Sequence, residues 1–215
     1  MKFLECLGID IKNKELLSVA LTHPSYSNEF GGENYERLEF LGDSVLQLII
    51  SEYYYLNSNC QEGEMSKLRA SFVCENALVE YSKKVGIDKH ILVGHGQEKD
   101  INNTIIADCF ESVLGAIYLE HGLAVAKKYI YEVVIPYIKD NYQFMVDYKS
   151  LLQELVQTDK KSLEYVLVGE EGPAHDKTFT FEVVIDDIVY GKGTGKSKKE
   201  AEQNAALDAY KKSVK

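Results

Sequence analysis

Two pairs of carboxylates interrupt the two most apolar stretches of the chain. Glu39 and Asp43 stand four residues apart in ERLEFLGDSV, and Asp108 and Glu111 three apart in IIADCFESVLGAIY. Either spacing puts both members on one face of an α-helix, where like charges repel by roughly 0.2–0.5 kcal/mol even when wetted. In apolar surroundings an unpaired ion costs far more, so something must compensate it. Arg37 can pair with one of the acids, but the second helix has no Lys or Arg before Lys127. Four carboxylates without a neighbouring His or Cys make an oxygen-only donor set suited to a hard divalent cation. Mg²⁺ fits best, because it needs few protein ligands and keeps its waters. Held by carboxylates, Mg²⁺ can activate a water, clamp a phosphate oxygen and neutralise a leaving oxygen, which makes phosphodiester hydrolysis the leading chemistry.

Two rival chemistries fail on spacing. A di-iron bundle needs Glu-x-x-His on its helices, and none of the five histidines has Glu three positions earlier. The Gly-Asp-Ser of LGDSV imitates the nucleophile block of a class of serine esterases, which also require Asp-x-x-His; no histidine here has that partner. Ser44 is therefore expected to be a packing residue within its helix.

A second constellation lies near the end of the chain. In GKGTGKSKKE, Ser197 and Glu200 have the spacing of a capping box, with Ser197 as the cap and Glu200 reaching back. Lys198 and Lys199 then fall in the first helical turn, an unfavourable place for cations because the helix N-terminus is already positive. With Lys192 and Lys196 beside them they form a local phosphate site inside an acidic protein. Upstream, Ser150, Gln153 and Glu154 share the polar face of a helix, and His175 sits in the EGPAHDK turn. Polar side chains and phosphate-binding lysines on separate elements suit the wide minor groove of A-form RNA and the adjoining phosphates.

The elements that must position these residues divide into two groups. Up to about residue 138 the pattern is almost entirely helical. Leu16, Leu17, Ala20 and Leu21 form a short amphipathic stripe broken at Pro24, and residues 36–55 read as a central helix apolar on nearly every face. NSNCQEGEM reads as a loop, 65–85 as a helix ended by Gly86, VGHGQEKDINN as a second loop, TIIADCFESVLGAIYLEHG as the second apolar helix and 123–138 as one more. After a linker at 141–146 come an amphipathic helix, strands at LEYVLV and TFTFEVVI, a hairpin through Asp186 and Asp187, and an Ala-rich helix over 197–212. The fold expected is thus multidomain: an all-α domain over 1–140 and a small α+β domain, α-β-β-β-α, over 147–215.

Composition narrows the partners. The 215 residues carry a formal charge of −10, with 13 Lys/Arg against 21 Asp/Glu in residues 1–146 and 11 against 13 in 147–215, so contact with nucleic acid must be local. Cys6, Cys60, Cys74 and Cys109 are scattered and lack zinc spacing, which suits four reduced, mostly buried thiols. MKFLECLGID lacks a signal-peptide core and no stretch is apolar enough to span a membrane, so the expected location is the cytoplasm.

YERLEFLGDSVL resembles the signature helix of the ribonuclease III family, and IIADCFESVLGAIYLEHG its second catalytic helix. ALTHPSY and EGEMSKLRASFV match flanking parts of the same family. DYKSLLQELVQ, EGPAHDKTFTFEVVI and GKGTGKSKKEAEQNAA resemble the double-stranded RNA-binding domain of its bacterial members. The resemblance implies a homodimeric, Mg²⁺-dependent endoribonuclease that cuts double-stranded RNA in structured precursors such as ribosomal RNA. Its products would carry 5′-phosphate and 3′-hydroxyl ends with a short 3′ overhang. It casts Glu39, Asp43, Asp108 and Glu111 as the catalytic and metal-binding acids, with Glu111 the most direct Mg²⁺ ligand. Glu62 takes an auxiliary acidic position near the dimer interface. One departure stands out: GHGQ at 94–97, with His95 and Gln97, replaces the lysine-bearing GKGE of many relatives.

Overall fold

The computed structural model describes residues 4, 8–97, 101–144, 147–158, 162–173 and 177–213. The chain divides into two compact units, Met1–Met145 and Val146–Lys215.

The first unit is helical. Asn13 caps α1 (Lys14–Ala20) by accepting from the Leu16 amide at 3.0 Å. Pro24 does not merely end that helix, as its sequence position suggests; it opens α2 (Pro24–Phe30), where a missing N–H costs nothing at the first helical position. The His23 ring caps α2 from the Ser25 amide at 3.1 Å. Next come α3 (Glu36–Asn57), α4 (Glu62–Phe72), α5 (Glu75–Val85), a short 3₁₀ turn at Ile87–Lys89, and α6 (Asn103–His121). The single helix expected over 65–85 is two, because Cys74 is extended and starts α5 afresh. Part of the expected NSNCQEGEM loop is likewise the first turn of α4. Gly86, at φ 76°, ends α5 in the left-handed conformation that glycine adopts without strain. The helix expected over 123–138 is also divided, into α7 (Leu123–Val133) and α8 (Ile135–Lys139), since Pro136 cannot continue the ladder of amide donors.

The core is built around α3 and α6, which cross in the middle of the domain. Leu46, Ile50, Phe110, Val113, Leu114 and Ile117 are fully buried there. α3 is not covered on every side, however. Phe40 is 77% exposed, Leu48 55% and Tyr55 75%, and these lie on a stripe with exposed Ser44. Ser44 is therefore not a packing residue: its Oγ donates back to the Phe40 carbonyl at 3.2 Å on the open face. Among the cysteines, Cys109 is buried, while Cys60 and Cys74 are only half-buried. Within the stretch read as linker, Phe144 packs edge-on against Phe72 and Tyr81, extending the aromatic core to that point.

In the second unit α9 (Tyr148–Thr158) precedes an antiparallel sheet ordered β1 (Leu163–Glu171), β2 (Thr178–Ile185) and β3 (Ile188–Gly195), and α10 (Lys198–Ser213) follows. Asp186 and Asp187, at φ 47° and 64°, make the two-residue hairpin that the sequence marks. Leu152, Val156, Phe181, Val183 and Ile185 form the core with Ala201, Ala205, Ala206 and Ala209 of α10. That helix lies directly on β3: a Cβ at Gly193 would meet the Ala205 nitrogen at 2.1 Å, and one at Gly191 the Ala205 oxygen at 2.4 Å. The GKG pattern thus supplies a smooth strand face for an alanine-faced helix.

Candidate active site and RNA-binding surface

The two acid pairs meet where α3 crosses α6. Gly42, between Glu39 and Asp43, touches the opposite backbone: a Cβ there would stand 1.8 Å from the Glu111 oxygen. Gly115 answers from α6, where a Cβ would lie 2.3 Å from the Leu38 oxygen. With no side chain between the two backbones, the half-buried carboxylates of Glu39, Asp43, Asp108 and Glu111 share one electrostatic neighbourhood. Burial, then the charges of Asp43, Glu39 and Asp108, push Glu111 up to about 8. Burial, with Asp108, Glu36 and Asp43, raises Glu39 to about 7. Asp108 is raised chiefly by burial, against the opposing effect of a hydrogen bond from Tyr35.

Two neutral partners hold the cluster. The Tyr35 hydroxyl donates to Asp108 Oδ2 at 3.1 Å, and Gln47 Nε2 donates to Asp43 Oδ1 at 3.3 Å. Arg37 lines a groove with Asn13, Glu15 and Glu33 instead, and among the described residues no lysine or arginine pairs with any of the four acids. Among the described residues no three His, Cys, Asp or Glu side chains are gathered tightly enough to cage an ion as they stand. The donor set nevertheless fits a hard divalent cation, because it is all oxygen, half-buried and short of positive charge. Closing around such an ion calls for side-chain rotation, which the longer Glu39 and Glu111 can supply.

Glu62 occupies a separate place. It begins α4, is exposed, accepts from Ser66 Oγ at 2.9 Å and lines a hollow with Ser51, Tyr55 and Arg69. It is not among the charges acting on Glu39, Asp108 or Glu111. The GHGQ segment docks on α2: the Gly94 amide donates to Ser25 Oγ and the His95 amide to Glu29 Oε2, each at 2.9 Å, while the His95 ring hydrogen-bonds Glu29.

In the second unit Ser150, Gln153 and Glu154 are exposed on α9 and line a shallow hollow with Lys149 and Tyr165. Asp147 fixes this surface, accepting from the Ser150 amide and hydroxyl and from Gln203 of α10. At the start of α10, Ser197 Oγ accepts from the Glu200 amide at 3.1 Å, and Glu200 Oε2 accepts from the Lys196 amide at 2.7 Å, one residue before the expected cap. Lys196, Lys198 and Lys199 are exposed around this helix start. Lys198 also leans over the Phe179 ring, 5.8 Å from its centroid. Lys192 belongs less to that patch than its sequence position suggests, because its ammonium pairs with Glu182 at 3.2 Å on the sheet. His175 lies outside the described residues.

Spacing alone did not single out Tyr35, Gln47, Gly42 or Gly115 for the site. A glycine in mid-helix among acids, costing about 1 kcal/mol against alanine, was the available sign of close backbone approach.

A helical domain with an acidic crossing, joined to an α-β-β-β-α module with a lysine-bearing helix start, defines a two-part nuclease for structured RNA. Residues 13–138 match the family model described as Ribonuclease-III-like, and 148–213 the double-stranded RNA binding motif. Ribonuclease 3 of Listeria monocytogenes (serovar 1/2a) is 45% identical over 219 aligned positions, covering 98% of this chain and 96% of that one. Ribonuclease 3 of Aster yellows witches'-broom phytoplasma is 44% identical, covering 98% and 90%. Among solved structures, the nuclease domain of ribonuclease III from Campylobacter jejuni superposes with a TM-score of 0.58 at 34% identity, covering 63% of this chain and 95% of that one. The chain belongs to the ribonuclease III family of endoribonucleases, which act on double-stranded RNA.

Proposed function

We propose that this endoribonuclease is Mg²⁺-dependent and leaves 5′-phosphate and 3′-hydroxyl ends on structured precursors such as ribosomal RNA. The supporting observation is the crossing at Gly42 and Gly115, which puts Glu39 and Asp43 in the same field as Asp108 and Glu111. These four acids would hold the ion, with Glu111 as its most direct ligand and Asp43 as the second catalytic acid, roles that rest on the resemblance to the ribonuclease III family. A bound Mg²⁺ supplies charge neutralisation at the scissile phosphate and a water of lowered pKa. Gln47 tethers Asp43 and Tyr35 tethers Asp108, which restricts how these two carboxylates turn. Incubating the protein with a hairpin RNA, with and without Mg²⁺, tests this reading through end chemistry and fragment length. Fragments ending in 2′,3′-cyclic phosphate, or equal cleavage in EDTA, would overturn it.

A second copy of the chain is the proposed partner. The row Phe40, Leu48 and Tyr55 presents exposed apolar side chains on α3, which no other described element of the first unit covers, beside the hollow that Glu62 lines. The Campylobacter nuclease domain is described as having a region involved in dimer formation. A twofold assembly could present one hydrolytic centre to each strand of a duplex. Among the described residues no helix is long and apolar enough to cross a membrane.

Ser150, Gln153 and Glu154 on α9 are assigned to the minor groove, and Lys196, Lys198 and Lys199 to phosphates; His175 keeps its role by resemblance only. Replacing Lys198 and Lys199 together by Ala should weaken duplex binding at low salt. It should also flatten the plot of log affinity against log salt by about one unit per lysine. Filter binding across a salt series measures both, and unchanged affinity with an unchanged slope would remove these lysines from the interface.

The rival is a duplex-binding scaffold whose nuclease domain is silent. The acid crossing speaks against it, since a domain freed from cleavage gains nothing from four mutually repelling carboxylates.

A further inference from the structure

We infer that Tyr35 is a positioning residue for the cation site: its hydroxyl holds one oxygen of Asp108 and leaves the other directed to the ion. This inference rests on the metal reading above.

Tyr35 sits immediately before α3 and is only 3% exposed. Its backbone is fixed independently of its hydroxyl. The amide donates to the Thr22 carbonyl at 2.9 Å, and the carbonyl accepts from Leu38 and Glu39 at 2.8 and 2.9 Å. The ring meets the His23 imidazole edge-on, with centroids 5.7 Å apart. The phenol thus projects from a rigid mount and reaches across to α6, donating to Asp108 Oδ2 at 3.1 Å.

A phenol is a single donor, so it saturates one direction on one carboxylate oxygen and leaves three of the carboxylate's roughly four acceptor sites open. The tether leaves Oδ1 to a ligand, and Asp108 is among the charges acting on both Glu39 and Glu111. Asp108 has a short side chain, and loss of this tether frees its terminal torsion, which is broad and weakly constrained by itself. Groups that orient a metal ligand in this way change affinity when removed, typically by 10–100-fold. The hydroxyl adds little to the mount itself, so its removal separates positioning from folding.

The test is binding of Mn²⁺ alone, as a paramagnetic stand-in, to the full chain, read as loss of the free-ion EPR signal. Tyr35→Phe keeps the ring and should weaken Mn²⁺ binding about tenfold or more. Without divalent ion it should still unfold in one cooperative transition and bind duplex RNA as tightly as wild type. In an Asp108→Asn background the same change should have no further effect on Mn²⁺, because the group it orients is gone. Equal Mn²⁺ affinity in wild type and Tyr35→Phe would overturn the inference while leaving the metal reading intact. An equal loss in the Asp108→Asn background would overturn it too, by showing that the hydroxyl acts elsewhere. Absence of Mn²⁺ binding by wild type would overturn the metal reading and this inference with it.

Discussion

Glu111→Gln should bind duplex RNA as tightly as wild type and cleave it on the order of 10²–10³-fold more slowly, the loss expected when several kcal/mol of charge stabilisation leave a reacting centre. The substitution should also stabilise the metal-free protein in alkaline buffer. Burial and the neighbouring acids lift Glu111 from 4.5 to about 8 in the folded chain. Between these values the folded state holds a proton that the unfolded chain has released, so stability falls as pH rises through the window and levels off above it. Glutamine cannot ionise and escapes that decline. Thermal unfolding in EDTA should therefore show the variant gaining on wild type between pH 5 and pH 8.5. An equal offset at both pH values would mean that Glu111 titrates normally. On the proposed Mg²⁺ reading the same linkage applies to the ion: the Mg²⁺ concentration for half-maximal cleavage should rise as pH falls below about 8, because an ion held by Glu111 would have to displace its proton. Cleavage by Glu111→Gln at the wild-type rate would remove this residue from the centre altogether.

The four acids were legible because their types contradict their surroundings. Carboxylates in IIADCFESVLGAIY run against helix burial, so composition marks them as candidates for a shared site. Their partners were not legible. Tyr35 and Asp108 are 73 positions apart, and nothing local says that a phenol at the start of one helix reaches a carboxylate on another. The second unit was easier, since alternation in TFTFEVVI and two aspartates at the hairpin are local signals with one reading. Helix breaks were harder. Cys74 carries no intrinsic stop signal, whereas the break at Val134 has one in Pro136, two residues on. Ser44 was misplaced for a related reason: apolarity all round α3 reads as burial, whereas Phe40, Leu48 and Tyr55 form an open stripe. A helix that buries one face in its own domain and leaves another apolar face exposed has the same composition as one buried throughout.

Gly42→Ala should be the most damaging conservative change in the nuclease domain. On helix propensity alone alanine is favoured by about 1 kcal/mol, so an isolated helix would gain. Here the added carbon would stand 1.8 Å from the Glu111 carbonyl oxygen and 2.5 Å from its carbon, both backbone atoms that cannot rotate aside. The two helices must separate, and overpacking of this kind costs typically about 1–3 kcal/mol and occasionally more. Backbone on both sides puts this site at the upper end, enough to reverse the propensity gain. The displaced contact is the same one that brings Glu39 and Asp43 toward Asp108 and Glu111, so activity should suffer beyond stability. A shift of about 1 Å in positioning groups can cost roughly 10²-fold in rate. Gly63→Ala is the matched control, because it lies in α4 with no heavy atom within 4 Å of an added Cβ. It should be neutral or slightly stabilising, by about 0.4–1 kcal/mol. Thermal unfolding and single-turnover cleavage at saturating RNA separate the two effects. A Gly42→Ala protein as stable and as fast as Gly63→Ala would show that the crossing is looser than drawn, and that the acids do not depend on glycine for their proximity.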